Sequence, residues 1–226
     1  MAMLGTGALA MWWDMAPEMR AEFEDWHSHE HFPERMSIPG FRRASRWMSV
    51  TGDDGVFVLY EVDSHAVLGS APYVAHLNAP TPWSTRMMPH HRNMVRSQCR
   101  VVASHGGAVA AHALTLRFSA APSRERDIRA HFDALGRSAT SQPGLVGMHL
   151  LAHEDPALAP TTEQRIRALA DRAADRVLVV HGYDAAILRS LLDSSLGSAL
   201  RDLGVDAGYA AGLYRLSHSA TPVDVA

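Results

Sequence analysis

The pattern of apolar and polar positions divides this chain into two halves that read alike. Each half opens on an apolar, strand-like run, at 8–13 and at 109–118, and continues into a stretch of helical period, at 28–38 and at 131–142. A Pro-Gly pair closes each helix, Pro39-Gly40 and Pro143-Gly144, at positions 104 residues apart. A strand-like run follows each pair, at 41–47 and 145–151, and then a β-branched apolar run, at 56–62 and 177–180. A second helix is expected after Asp63 or Ser64 and after Asp184, whose short side chains suit the capping of free amides. Closing strands are expected at 95–102 and 208–216.

The resulting order, β-α-β-β-α-β used twice, is the split βαβ or ferredoxin-like arrangement, in which two helices cover one face of a four-stranded antiparallel sheet. The uncovered face of each sheet is apolar, and two copies in one chain can cover each other. The pattern therefore predicts an α+β fold, a tandem ferredoxin-like repeat over 1–105 and 108–219 whose two antiparallel sheets pack as one α/β barrel, with Gly106-Gly107 between the halves. An insertion at 155–175 interrupts the second copy. Within it Thr161-Thr162-Glu163-Gln164 has capping-box spacing and a short helix is expected over 165–174, with no chemistry assigned to it.

Composition narrows the chemistry. A chain of 226 residues, 47% hydrophobic and 20% charged, is ordinary for a globular protein. Its 21 basic residues are all arginine, which removes Schiff-base lysines, phosphate-loop lysines and Ser-Lys dyads. With a net charge of −3 and no basic run, neither nucleic acid nor an anionic membrane is an expected partner. The opening residues 1–13 lack a basic leader and are too few to cross a bilayer, so a cytoplasmic location is expected. The single Cys99 falls within a strand and reads as a small core residue rather than a nucleophile.

The richest cluster of chemistry-bearing residues is 26–35. A helix starting at Pro17 puts Met19, Phe23, Trp26 and Glu30 on one stripe, with His27 and His31 a turn apart at its margin, where an imidazole of near-neutral pKa suits proton transfer. The run His31-Phe32-Pro33-Glu34-Arg35-Met36-Ser37-Ile38-Pro39-Gly40-Phe41, followed by an Arg-rich strand, resembles the helix-to-strand signature of the dimeric α/β-barrel superfamily, with the EthD-like proteins and methylmuconolactone isomerases as the nearest likeness. The whole chain is similar to tandem members in which both barrel halves are fused, and the run 162–167 fits that type. The resemblance implies His31 as the proton-transfer residue, and the helical spacing makes His27 its neighbour and tuner. It also implies a cofactor-independent isomerisation, dehydration or cyclisation of a small apolar or aromatic organic acid or ketone. Counting back from the Pro-Gly pairs, His27 corresponds to His131 but His31 to Leu135, which assigns the site to the first half.

Further candidates come from outside this helix. The proline-broken segment 78–92 reads as a loop in which Trp83, Met87 and Met88 form an apolar wall and Arg86 or Arg92 clamps an anion, or else as a plug for one barrel end; His90-His91 reads as surface. Tyr60 and Glu61, Arg46 and Trp47, and Trp12 and Trp13 point to opposite faces of their strands, and Tyr60 and Trp12 are the candidates to line a ligand site. His27, Glu30 and His31 also match an H-x-x-E-H zinc pattern, but Pro33 and the strand order argue against a protease, and neither a metal nor a cofactor is expected. The expected partner is a small-molecule substrate, with a homodimer left open. The competing readings are a haem- or metal-dependent enzyme or cofactor-free monooxygenase of the same fold, and a non-catalytic ligand-binding or stress-associated barrel.

Overall fold

A computed structural model of the chain describes residues 3–51, 55–155, 159–168, 172–205 and 208–225. The first half runs β1 (Gly7–Met15), α1 (Arg20–Trp26), a π-helical turn (His27–His31), α2 (Phe32–Met36), β2 (Phe41–Ser49), β3 (Gly55–Val62), α3 (Ala71–Asn78), α4 (Pro82–Met87) and β4 (His91–Gly106). The second runs β5 (His112–Phe118), α5 (Glu125–Ala139), β6 (Leu145–His153), α6 (Thr162–Arg167), β7 (Arg176–Gly182), α7 (Ala185–Leu191), a second π turn (Leu192–Leu196), α8 (Gly197–Asp202) and β8 (Ala210–Ala220). All neighbouring strands are antiparallel, and they close into one barrel in the order β1-β3-β2-β8-β5-β7-β6-β4. The expected α+β barrel of two ferredoxin-like sheets is thus what the chain forms. Two seams join the sheets, β2 with β8 and β4 with β6.

Closure gives each strand two buried faces, and the side chains sort accordingly. Leu9 and Trp13 of β1 pack under the first pair of helices together with Phe23, Trp26 and Tyr60. Ala8, Ala10 and Trp12 point the other way, into a barrel interior filled by Trp47, Phe57, Leu59, Leu151, Val177 and Tyr214. There Phe57 stacks between Trp12 and Trp47, at centroid distances of 5.0 and 5.2 Å. A third cluster, around Phe118, Phe132, Leu178 and Leu188, sits under the helices of the second half. The barrel is therefore a packed core, and space for a ligand has to be sought on the helical side of a sheet or at a barrel mouth.

The repeated Pro-Gly junctions repeat in geometry as well. Gly40 and Gly144 adopt left-handed φ of +94° and +89°, and a Cβ on either would strike Val67 or Ile187 of the following helical segment. Their carbonyls accept from the amides of Asp63 and Tyr183, at 2.8 and 2.9 Å, tying the turns to the ends of β3 and β7.

Local details depart from the sequence reading in three places. Asp184 caps α7 as expected, accepting from the Ala186 and Ile187 amides, but Ser64 precedes a 3-10 turn (His65–Gly69) and the cap of α3 is Ser70. The segment 78–92 is not an open loop: Pro82 occupies a first-turn position, where its missing N–H costs nothing, and Thr81 caps the Ser84 amide at 3.0 Å to start α4. The capping box at Thr161 and Gln164 forms, but α6 begins at Thr162 and ends at Arg167, followed by Ala168 with a φ of +52°; it is not the helix expected over 165–174, of which 169–171 lie outside the described residues. Among the described residues no helix is long and apolar enough to cross a membrane.

Candidate active site

Pro33 shapes the helix that carries the two histidines. It has no N–H to offer the carbonyl four residues back and its ring crowds that carbonyl, so the helix widens: the Phe32 amide reaches five residues back to the His27 carbonyl. The widened turn spans His27–His31 and sets their rings 5.3 Å apart. Trp26 and Glu30 anchor it from outside, with the indole Nε1 donating to Glu30 Oε1 at 3.1 Å and to Ser84 Oγ at 3.2 Å.

Between this helix and the outer face of the first sheet lies a cavity of about 40 Å³. Its walls are Trp13, Trp26, His27, His31, Tyr60 and His91, and its flexible side is made by Met11, Met88 and Met94. Four charged residues reach it: Arg35 and Arg96 from the first half, and Glu163 and Arg167 from α6 of the second. The insertion assigned no chemistry on sequence grounds therefore supplies two ionic side chains to the lining.

The histidines are held neutral. Burial, reinforced by the charges of His31, Arg46 and His91, pushes His27 well below the ordinary imidazole pKa. Its Nδ1 is buried without a hydrogen-bond partner, as is the Trp13 Nε1. His27 is thus inside the core, at 2% exposure, and not at the margin of the apolar face. Burial and Arg35 also lower His31, while Glu34 and Glu163 act against them. The His31 ring packs tilted against Trp26 at a centroid distance of 4.5 Å, and its Nδ1 lies 3.5 Å from Glu34 Oε2 without a hydrogen bond at either atom. Burial alone would raise the Glu34 pKa, but His31, Arg35 and His76 outweigh it and hold the carboxyl at about 2. His91, read from sequence as surface, is 6% exposed; its Nδ1 donates to the Met88 carbonyl at 3.1 Å, which leaves Nε2 as the unprotonated nitrogen, and burial pushes its pKa down to about 3.

Arg35 is the fixed positive charge beside these rings. It is 3% exposed, hydrogen-bonds Glu163 through Nη2, and lies 3.4 Å from Glu34 through Nη1. These carboxylates outweigh burial and raise its pKa, and burial likewise raises the Tyr60 phenol above its ordinary range, so the phenol remains a donor.

Of the residues singled out from sequence, the structure brings His27, His31 and Tyr60 together in this lining. Trp12 is excluded because the pleat turns it into the barrel, and its neighbour Trp13 takes the place. Trp83 and Arg86, on successive turns of α4, both turn outward to Glu22, and Arg92 is exposed with Glu18 at 3.9 Å, so none of the three lines the cavity. Met87 is buried in the core, and Met88 meets the cavity instead. Glu30 spends its carboxylate on Trp26, Thr81 and Ser84, and among the described residues no three His, Cys, Asp or Glu side chains converge as metal ligands, so the H-x-x-E-H spacing does not become a zinc site. A haem does not fit a cavity of about 40 Å³ either, and a small organic molecule requires the lining, in which Met11, Met88 and Met94 are the most adaptable side chains, to repack.

No protein-family profile matches the chain, and no curated protein matches its sequence. Solved structures do match, over nearly its whole length. An anthrone oxidase-like protein aligns with a TM-score of 0.68 at 10% identity, over 98% of this chain and 95% of its own. A candidate monooxygenase from Fusobacterium nucleatum aligns with a TM-score of 0.62 at 7% identity, over 97% and 96%. A ferredoxin-fold protein related to antibiotic biosynthesis monooxygenases, from Listeria monocytogenes, gives 0.50 at 8% identity, over 96% and 97%. At these identities the likeness shows the fold, a ferredoxin-like α+β barrel.

Proposed function

We propose that this chain is a cofactor-independent enzyme that withdraws a proton from a small apolar or aromatic ketone, phenol or organic acid. The observation that carries this reading is the meeting of neutral, buried imidazoles with a buried guanidinium in one cavity. A neutral imidazole can accept a proton at pH 7, and a fixed positive charge nearby stabilises the enolate or phenolate that results. His31 is assigned as the base, with Glu34 beside its Nδ1 and with burial and Arg35 keeping it neutral; His27 is its neighbour. Arg35 faces the developing negative charge, and Glu163 holds Arg35.

Two fates are open to the anion. Reprotonation at another carbon, or loss of a leaving group, gives the isomerisation, dehydration or cyclisation expected from the resemblance to isomerase-type barrels. Reaction with dioxygen gives an oxygenation, and the names carried by the similar structures, an anthrone oxidase-like protein and monooxygenase-type proteins, favour it.

The test is a panel of enolisable aryl ketones and phenols, anthrone included, followed by absorbance for product and by an oxygen electrode for dioxygen. Turnover is expected to fall about 10²- to 10⁴-fold in His31→Ala, the usual contribution of general acid–base catalysis. Oxygen uptake matching product formation selects oxygenation, and product without uptake selects isomerisation or elimination. Near-full activity in His31→Gln overturns the base assignment, because an amide hydrogen-bonds but does not exchange a proton near neutrality. Binding of panel members without turnover of any selects the non-catalytic reading.

A further inference from the structure

A second site lies at one mouth of the barrel, apart from the cavity above. Arg117 stands two residues after Thr115 on β5, so both point to the barrel interior; Thr115 Oγ1 accepts the Trp12 indole N–H at 3.2 Å, and the Arg117 guanidinium lies over the same indole at 4.9 Å from its centroid. Stacking fixes the plane of the guanidinium and leaves its edges free. No described residue forms a hydrogen bond or ion pair with it. Other sheltered arginines each have a side-chain partner: Arg35 meets Glu163, Arg43 meets Glu61, Arg96 meets the Tyr73 hydroxyl, and Arg46 meets Ser28 and Ser217, although Arg35 Nη1 and Arg46 Nε stay without a hydrogen bond.

Among the described residues no carboxylate pairs with Arg117. Asp14, which acts on it electrostatically, is engaged by the Asn93 amide at 2.7 Å. Arg172, bridged to Val95 at the rim, adds a second positive charge that disfavours the first. Between them opens a pocket of about 250 Å³ whose described lining holds no acidic residue, floored by the small side chains of Ala173, Ala174 and Ala210 and edged by Ser119. A half-buried cation with no counter-ion among the described residues, a second arginine beside it and a pocket whose described lining holds no acid together describe a binding site for an anion.

We propose that this mouth binds a phosphate group, held between the guanidiniums of Arg117 and Arg172 with Trp12 as the platform beneath. Two fixed positive charges match a dianion better than a monocarboxylate. The group can come from inorganic phosphate or from a phosphate monoester, since both present the same oxygens.

The test uses the full chain at constant ionic strength. Inorganic phosphate is expected to raise the melting temperature saturably and to bind with a stoichiometry of one by calorimetry, where equal concentrations of acetate or chloride give no saturable effect. Arg117→Met and Arg172→Gln should each weaken phosphate binding at least tenfold. Without phosphate, Arg117→Met should melt no lower than the parent chain, because an uncompensated cation has been removed from a sheltered site. Phenyl phosphate binding more tightly than inorganic phosphate identifies a monoester as the source, and the reverse order identifies the free ion; either supports the site. Absence of saturable phosphate binding in the parent chain, or its survival unchanged in Arg117→Met, overturns the proposal.

Discussion

At the scale of single residues, the relation between His31 and Glu34 sets the acid limb of any pH profile. A base works only when unprotonated, and burial with Arg35 lowers the His31 pKa, so activity should hold from neutrality down to below 6.5 before it falls. Glu34 opposes that lowering. In Glu34→Gln the limb should therefore move to still lower pH while kcat drops, since the ring loses its orienting carboxylate; a limb that moves upward or stays in place would show that Glu34 does not act on His31. His31, His27 and Tyr60 were legible in the sequence because helical period and strand alternation settle which way a side chain points. Two other assignments failed for equally local reasons. Period two says that Trp12 and Trp13 diverge but not which one faces inward, and the arginines of the 86–92 segment found Glu18 and Glu22 on a helix that contact-blind reading could not place beside them.

Among the secondary-structure elements, α6 is the one whose role the sequence concealed. Its capping box was readable, and Glu163 and Arg167 are a turn apart, but nothing local shows that this turn lands on a helix 128 positions earlier in the chain. The Arg35–Glu163 pair ties the halves together in a dry setting, where such a pair adds little beyond a well-packed apolar replacement but is costly to break on one side. Glu163→Gln should thus destabilise the fold by about 3 kcal/mol in urea titration, and the double variant Arg35→Met with Glu163→Leu should recover most of the loss. Equal and additive losses in the two single variants and the pair would show that Arg35 and Glu163 are not coupled. Strands were read well because the repeat vouches for each of them twice. Helices near proline were read less well, because proline both starts α4 and widens the His27–His31 turn, and the two effects look the same in one dimension.

For the whole molecule, the buried histidines make stability depend on acid. His27, His31, His91, His149 and His181 all have pKa values lowered by burial, with His91 at about 3 and His149 at about 4. Below about 6.5 the unfolded chain takes up protons that the folded chain refuses, so stability falls with pH, by up to about 1.4 kcal/mol per unit for each group. Urea midpoints should drop steeply between pH 7 and pH 5.5, and less so in His149→Asn; a flat profile over that interval would contradict these protonation states. The general architecture was legible because a repeated pattern with an apolar second face has few ways to close. The seams β2–β8 and β4–β6 carry one more consequence. In a barrel assembled from two identical chains, point-group symmetry writes every substitution at two places, and each protomer must serve as host and as lid with the same residues. Here both sheets belong to one polypeptide, so that constraint is gone: position 31 is histidine while its counterpart 135 is leucine, and Glu163 reaches across from the half that lacks this histidine. Continuity of the backbone permits division of labour between two copies of one fold.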